Sequence, residues 1–337
     1  MARRPPLLAA VATSTAAVAL LLAGCTAGSG PTASEPRLTA APSSSTTSTS
    51  TSTSRPSPAG VSTAARQRLD ASLRGLEARY GARLGVAVLD AGPSDAAPSR
   101  DRALLGHRSD ERFAFASTDK VFIAAAVLSR ISDAGLAEVV RYDRTDLLAY
   151  APVTSQHVDS GMTVRALLDA ALRYSDNTAA NLLMERAGGA AGVQAFLRTL
   201  GDSTTSVDRD EPSLNTAVPG DTRDTTTPQA FARDLRAVTT RTVLPDSRRR
   251  LLVSLMTANT TGAPYIRSGV PTGWSVADKT GSASYGVRND IALVTPPAGS
   301  PLVIVLFSTR TTQDAASQDA LLADATRALV EALPTTR

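Results

Sequence analysis

The chain has 337 residues, with 35 basic and 31 acidic side chains, a formal charge of +4, two histidines and one cysteine. That length is ample to bury a core in one large domain or two smaller ones. The charge is too weak and too dispersed to point to nucleic acid, and two distant His with a single Cys cannot assemble the usual zinc ligand set.

Residues 1–25 read as an export segment. Arg3 and Arg4 precede a short apolar run from Leu7 to Leu22, which ends in Leu22-Ala23-Gly24-Cys25. A run this short, closed by small residues, is a signal rather than a spanning helix. The segment resembles the lipobox of bacterial lipoproteins. That resemblance implies cleavage before Cys25 and a lipid on its thiol, which would hold the protein on the outer face of the cytoplasmic membrane. Removing residues 1–25 takes away two Arg and no acid, leaving a formal charge of about +2. Residues 26–60 are Ser, Thr, Pro, Ala and Gly with almost no large apolar residue, and Ser43 to Ser54 is Ser and Thr alone. Such a stretch cannot bury enough surface to fold and reads as a flexible tether.

The folded region begins near Val61. Leu69, Leu73 and Leu76 recur at helical spacing between Ala64 and Tyr80. Strand-like runs follow at Leu84 to Leu89 and near Arg112 to Phe115. From Thr118 to about Met256 the pattern is mostly helical, as in Thr163 to Arg173 and Thr178 to Ala187, the latter stopped by Gly188-Gly189. Arg248-Arg249-Arg250 reads there as a solvated helix face. Strands return at Trp274 to Asp278, Ile291 to Thr295 and Leu302 to Ser308, and a last helix spans about Asp314 to Leu333. Strands at both ends around a helical insert predict an α+β fold with one sheet completed by both ends of the chain. The sheet subdomain is expected in 61–115 and 258–337 and the helical one in 116–257, with a site in the cleft between them.

Only two of the 35 basic residues are lysine, Lys120 and Lys279. Arg replaces Lys on a solvated surface but not where an amine must lose a proton or act as a compact charge. Each lysine sits in a short chemical pattern: Ser117-Thr118-Asp119-Lys120 and Lys279-Thr280-Gly281, with Ser175-Asp176-Asn177 between them. Ser117 and Lys120, three apart on a helix, share a face. A serine at a helix start meets free N–H groups and a dipole that favour a developing negative charge. Phe122, Ile123 and Val127 predict that this helix is partly buried, and a buried lysine needs a reason. The plainer reading of the first pattern is an N-cap serine with a surface lysine; for the last it is a β-turn with lysine exposed. Two nearby ammonium groups would lower each other's proton affinity, which makes a neutral amine available near neutral pH.

The three patterns, in that order, resemble the motifs of class A serine β-lactamases. Arg209-Asp210-Glu211-Pro212-Ser213-Leu214-Asn215 is similar to that family's omega loop, and the resemblance runs from Leu73 to Leu333. It implies a three-layer sheet domain with an antiparallel sheet, an all-helical domain, and a β-lactam substrate hydrolysed by a monomer without a cofactor. It also implies roles. Ser117 attacks the β-lactam carbonyl, with Lys120 helping to take its proton; in this family the acylation base is either that lysine or Glu211. Glu211, through a water also held by Asn215, drives hydrolysis of the acyl-enzyme. Ser175 passes a proton to the leaving ring nitrogen, and Asn177 binds the substrate's side-chain amide. Lys279, Thr280, Ser282 and Arg288 hold the substrate carboxylate, and Tyr150 walls the cleft. Ser282 N–H would join Ser117 N–H as an oxyanion donor. Arg209 and Asp224 are expected to close the loop that carries Glu211.

Two departures stand out. Ala116 and Ala283 occupy positions bridged by cysteines in certain carbapenem-hydrolysing members, so that bridge is impossible here. Asp119 stands where an apolar residue is usual, and the sequence gives no account of it. Rival readings are a penicillin-binding DD-peptidase, which lacks the Glu that drives rapid hydrolysis, and a non-catalytic β-lactam sensor, which should have lost a catalytic side chain. A Ser-His-Asp hydrolase is disfavoured, because His107 and His157 have no Gly-x-Ser-x-Gly elbow to serve.

Overall fold

A computed structural model describes residues 61–92 and 103–334. The export segment, Cys25 and the tether lie outside the described residues. Helix α1, Thr63–Tyr80, starts where Ser62 Oγ accepts from Ala65 N–H at 3.2 Å and stops at Gly81, whose φ of 57° suits glycine. Strands β1, Arg83–Asp90, and β2, Ala103–His107, follow. The predicted strand near Phe113 is real but only two residues long. This β3, Phe113–Ala114, pairs with β6, Thr225–Thr226, and does not join the main sheet.

A 3-10 turn at Ala116–Asp119 leads into α2, Lys120–Leu128. After α3, Asp133–Ala137, a two-residue ladder joins β4, Val139–Val140, to β5, Met162–Thr163. Helices α4, Val164–Arg173, α5, Asn177–Arg186, and α6, Gly189–Thr199, complete the first half of the helical region. Beyond β6 come α7, Pro228–Thr240, α8, Asp246–Thr257, and the short α9, Ile266–Gly269. The Arg248–Arg250 run lies on α8, but its first member is not a solvated charge. Arg248 is buried, pairs with Asp133 at 2.6 Å and donates to Ile131 O at 3.3 Å.

The chain closes with β7, Ser275–Ala283, β8, Val287–Thr295, β9, Leu302–Thr309, and α10, Asp319–Ala332. The predicted last helix thus begins about five residues later than its apolar pattern suggested. The five-stranded sheet runs β2-β1-β9-β8-β7, antiparallel throughout. Arg83 pairs with Thr309 and Asp90 with Leu302, so the first long strand lies beside the last.

The two faces of the sheet alternate along each strand. Leu84, Val86, Ile304 and Leu306 pack beneath Leu73 of α1 and Leu321 and Leu329 of α10. Ala87, Leu89, Val303, Val305 and Phe307 face the other way, into one core with the helices of the insert. With both faces covered, the strands read as unbroken apolar runs rather than as alternating ones. This is the three-layer α+β arrangement. Phe231 of α7 anchors it: its ring lies 5.8 Å from Phe307 in the sheet, 5.7 Å from Phe115 and 4.6 Å from Phe122. Those last two rings bracket the 3-10 turn, so aromatic packing fixes Ser117 against the sheet.

Candidate active site

Ser117 sits in that turn directly after Ala116, whose φ of 48° is a strained conformation for a residue with a Cβ. Strand β7 runs close behind it. A Cβ on Gly281 would lie 3.0 Å from Phe115 O and 3.1 Å from Thr118 Cγ2, so this close passage favours glycine. Lys279-Thr280-Gly281 therefore lies within a strand paired through Ala283↔Val287, not at a strand end as expected.

Both lysines are fully buried. Lys120 Nζ lies 2.9 Å from Glu211 Oε1 and donates to Ser175 O at 2.8 Å and Asn177 Oδ1 at 2.6 Å. Ser117 Oγ donates to the same Glu211 oxygen at 2.8 Å. The other Glu211 oxygen accepts from Asn215 Nδ2. Lys279 Nζ donates to Ser175 Oγ at 2.9 Å and Thr280 O at 2.7 Å. One hydroxyl and one carboxylate thus connect all three motifs to the loop.

Ser175 also takes a positive φ, 58°. Buried Asp176 holds it there, capping α5 through Ala179 N–H at 2.9 Å and accepting from Val153 and Thr154 N–H at 3.0 and 2.9 Å. Asn177 N–H donates to Tyr150 O at 2.9 Å, and the Tyr150 side chain stands out at the surface. Thr280 Oγ1 meets Thr261 Oγ1 at 2.6 Å. Arg288 is the cross-strand partner of Ser282, donates to its Oγ, and lies 2.8 Å from Asp319. Ser282 is exposed and Ser175 and Asn177 half-buried, so a solvent-facing rim surrounds a floor of Lys120, Lys279 and Glu211. The loop is closed by Arg209 Nε on Asp224 Oδ2 at 2.5 Å, while Asp224 Oδ1 accepts from Asp208 and Arg209 N–H, both at 2.9 Å.

Comparison with known proteins agrees with this geometry. The family model described as the β-lactamase enzyme family matches residues 66–333. A β-lactamase of Amycolatopsis lactamdurans is 46% identical over 276 residues, covering 82% of this chain and 89% of that protein. The β-lactamase AST-1 of Nocardia asteroides is 47% identical over 260 residues, 77% of this chain and 81% of that one. A class A β-lactamase structure from Clostridium kluyveri DSM 555 matches with a TM-score of 0.74 and 42% identity, over 79% of this chain and 98% of that one. The chain belongs to the class A β-lactamases.

Two supports of this β-lactamase's site carry no motif in the sequence. Asn181 clamps the Glu211 backbone: its Nδ2 donates to Glu211 O at 2.8 Å and its Oδ1 accepts from Glu211 N–H at 3.0 Å. Its place four residues after Asn177 on α5, hence on the same face, was the available signal. Behind β7, Asp278 accepts from Asn259 Nδ2 and Arg267 Nε, both at 2.8 Å. Asn259 Oδ1 in turn accepts from Thr261 Oγ1 at 2.9 Å, which orients the hydroxyl beside Thr280.

Burial, and after it the Lys120 ammonium, pulls Lys279 down to about 7. Desolvation, not mutual repulsion, is the larger cause. His107, the last residue of β2, has Nδ1 2.8 Å from Asp70 of α1 and takes no part in this β-lactamase's site. A cavity of about 900 Å³ opens on the far leg of the loop, lined by Arg83, Arg112, Val218, Arg223 and Arg310 among others, and none of Ser117, Lys120, Ser175, Glu211 or Lys279 lines it. Among the described residues no group of three or more His, Cys, Asp or Glu could hold a metal ion, and no helix is long and apolar enough to cross a membrane.

Proposed function

We propose that the protein hydrolyses the β-lactam ring of penicillins and cephalosporins through an acyl-enzyme on Ser117, and so confers resistance to them. The observation that carries this reading is the shared oxygen: Ser117 Oγ and Lys120 Nζ both meet Glu211 Oε1, at 2.8 and 2.9 Å. An ammonium has three N–H donors, and Lys120 finds three acceptors within 2.9 Å, so the nearest acceptor for the serine proton is Glu211. Ser117 attacks the ring carbonyl while its proton passes to Glu211. The ring C–N bond breaks as Ser175, hydrogen-bonded to Lys279 and reached by Lys120, delivers its proton to the leaving nitrogen; Lys120 reprotonates Ser175 and recovers from Glu211 the proton that came from Ser117, so Glu211 is a carboxylate again. Glu211, steadied by Asn215, then takes a proton from the water that attacks the ester and passes it to Ser117 Oγ as the ester C–O bond breaks, which releases the serine.

Asn177 and Tyr150 at the rim contact the substrate's side chain. Lys279, Thr280, Ser282 and Arg288 form the carboxylate side, with Lys279 as the compact charge and Arg288 acting through the Ser282 hydroxyl. Ser117 and Ser282 N–H receive the oxyanion. All these groups come from one chain, which suits a monomer. Arg209 and Asp224 stay outside the chemistry and hold the loop.

The amino-terminal residues support a lipoprotein exported and anchored through Cys25, with residues 26–60 as tether. Cys25→Ala is expected to release the protein from the membrane fraction; retention there would rule out the lipid anchor.

Rapid-mix mass spectrometry of the protein with benzylpenicillin and with a chromogenic cephalosporin tests the reading. A transient adduct on Ser117 followed by many turnovers is expected. A persistent adduct after one turnover would instead make the protein a DD-peptidase or a sensor.

A further inference from the structure

Asp119 lies between the nucleophile and its lysine in the 3-10 turn, with 1% of its surface exposed. Neither of its carboxyl oxygens has a hydrogen-bond partner. The charged groups around it come from each neighbouring element: Glu211 on the loop, Lys120 at the start of α2, Asp224 at the entry to β6, and Lys279 on β7. Glu211 receives donors from Ser117, Lys120 and Asn215, whereas Asp119 receives none. Two carboxylates cannot both ionise cheaply in one buried site, so the charge resides on the one with donors and the proton on the one without. Burial first, and the Glu211 charge second, push the Asp119 carboxyl well above the usual carboxylate range.

We propose that Asp119 is a positioning residue for acyl-enzyme turnover: packed as a neutral acid behind the serine turn, it leaves Lys120 and Glu211 as the sole ion pair at Ser117, and on ionising as pH rises it sets a second negative charge beside that pair and slows turnover. This rests on the roles given above to Ser117 and Glu211. The direction follows from electrostatics. The nucleophile develops negative charge as it attacks, and so does the carbonyl oxygen, and a fixed anion in a low-dielectric site opposes both. The effect belongs in kcat, which reports groups in the substrate complex, where the substrate carboxylate neutralises Lys279.

Asp119→Asn keeps the shape and neutrality of the protonated acid but cannot ionise. Its alkaline limb of kcat is expected at higher pH than the wild type's, by about half a unit or more. Stability supplies a second readout. The native state retains a proton that the unfolded chain has lost above pH ~3.9, so wild-type folding weakens by up to about tenfold per pH unit until the native carboxyl ionises. The Tm advantage of Asp119→Asn is therefore expected to widen as pH rises above ~3.9. An alkaline limb at the same pH in both proteins overturns the proposal, as does a Tm difference that is flat with pH. If the amide variant does not fold, Asp119→Leu carries the same two comparisons. Labelling of wild-type Ser117 by benzylpenicillin separates the cases: a labelled serine with an unmoved limb removes the role of Asp119 alone, whereas no label removes the reading of the site itself.

Discussion

Asn181 holds Glu211 by both sides of its backbone, at 2.8 Å through the carbonyl and 3.0 Å through the N–H. A carboxylate on a loop is only as well placed as the loop, and here a helix side chain does the placing. Asn181→Ala removes both hydrogen bonds and leaves two peptide groups unpaired. It is expected to lower stability by about 1–2 kcal/mol and to slow deacylation more than acylation. Stopped-flow hydrolysis combined with mass detection of the adduct checks the order; equal slowing of both steps would mean that Asn181 has no special hold on Glu211.

Asp224 carries the other end of the loop, accepting two backbone N–H groups and the Arg209 guanidinium while fully buried. Asp224→Ala is expected to cost about 2–4 kcal/mol, because Arg209 and both amides lose their partner. The Ser117 adduct should still form and should persist longer than in the wild type. A variant that loses stability but deacylates normally would confine this pair to folding.

Gly281 lets β7 pass behind the serine turn, and the nearest obstacle to a Cβ is the Phe115 carbonyl at 3.0 Å, which belongs to the backbone and cannot swing away. Gly281→Ala should therefore displace the turn, costing about 1–3 kcal/mol and reducing kcat/KM. Denaturant unfolding and steady-state kinetics measure both, and a variant neutral in each would show that the turn has room to move.

Lys279 makes stability pH-dependent in a defined direction. With its amine pulled down to about 7, the unfolded chain binds more protons than the native state between about pH 7 and about 10.4. Stability rises with pH across that window, and below it the buried ammonium carries its full cost, on the order of a few kcal/mol. Lys279→Met should be more stable than the wild type near pH 6, with the difference shrinking toward pH ~10. Thermal unfolding across this range checks the slope; a difference constant with pH would place Lys279 in an ordinary solvated state.

Much of this site was legible because its chemistry restricts residue type. In a chain that uses Arg nearly everywhere, two lysines in short serine and threonine patterns mark positions where Arg fails, and both proved fully buried. The sheet was legible from its apolar runs and from strands at both ends. What escaped had no local signal. The strand β7 continues through Lys279, Thr280, Gly281 and Ser282 because β8 pairs with it, although polar residues and a glycine suggest a strand end. Phe113 and Ala114 have strand character, but their partner is Thr225–Thr226 across the loop, a long-range choice that local propensity does not encode. Asn181 and Asn259 act on backbone and on a hydroxyl, so their type is common even though their positions are demanding. Asp119 looked anomalous in sequence and remains so in space until its proton is counted.

Glu211→Gln, followed by intact-mass spectrometry with benzylpenicillin, isolates the role of Glu211. The amide keeps the shape of the side chain but cannot accept the proton of the hydrolytic water. An adduct on Ser117 is expected that forms more slowly than in the wild type, because the serine proton has lost its nearest acceptor, and that then outlives the wild-type intermediate by orders of magnitude, with turnover lost. Wild-type turnover with no accumulated adduct would contradict that role and move the hydrolytic base to another residue.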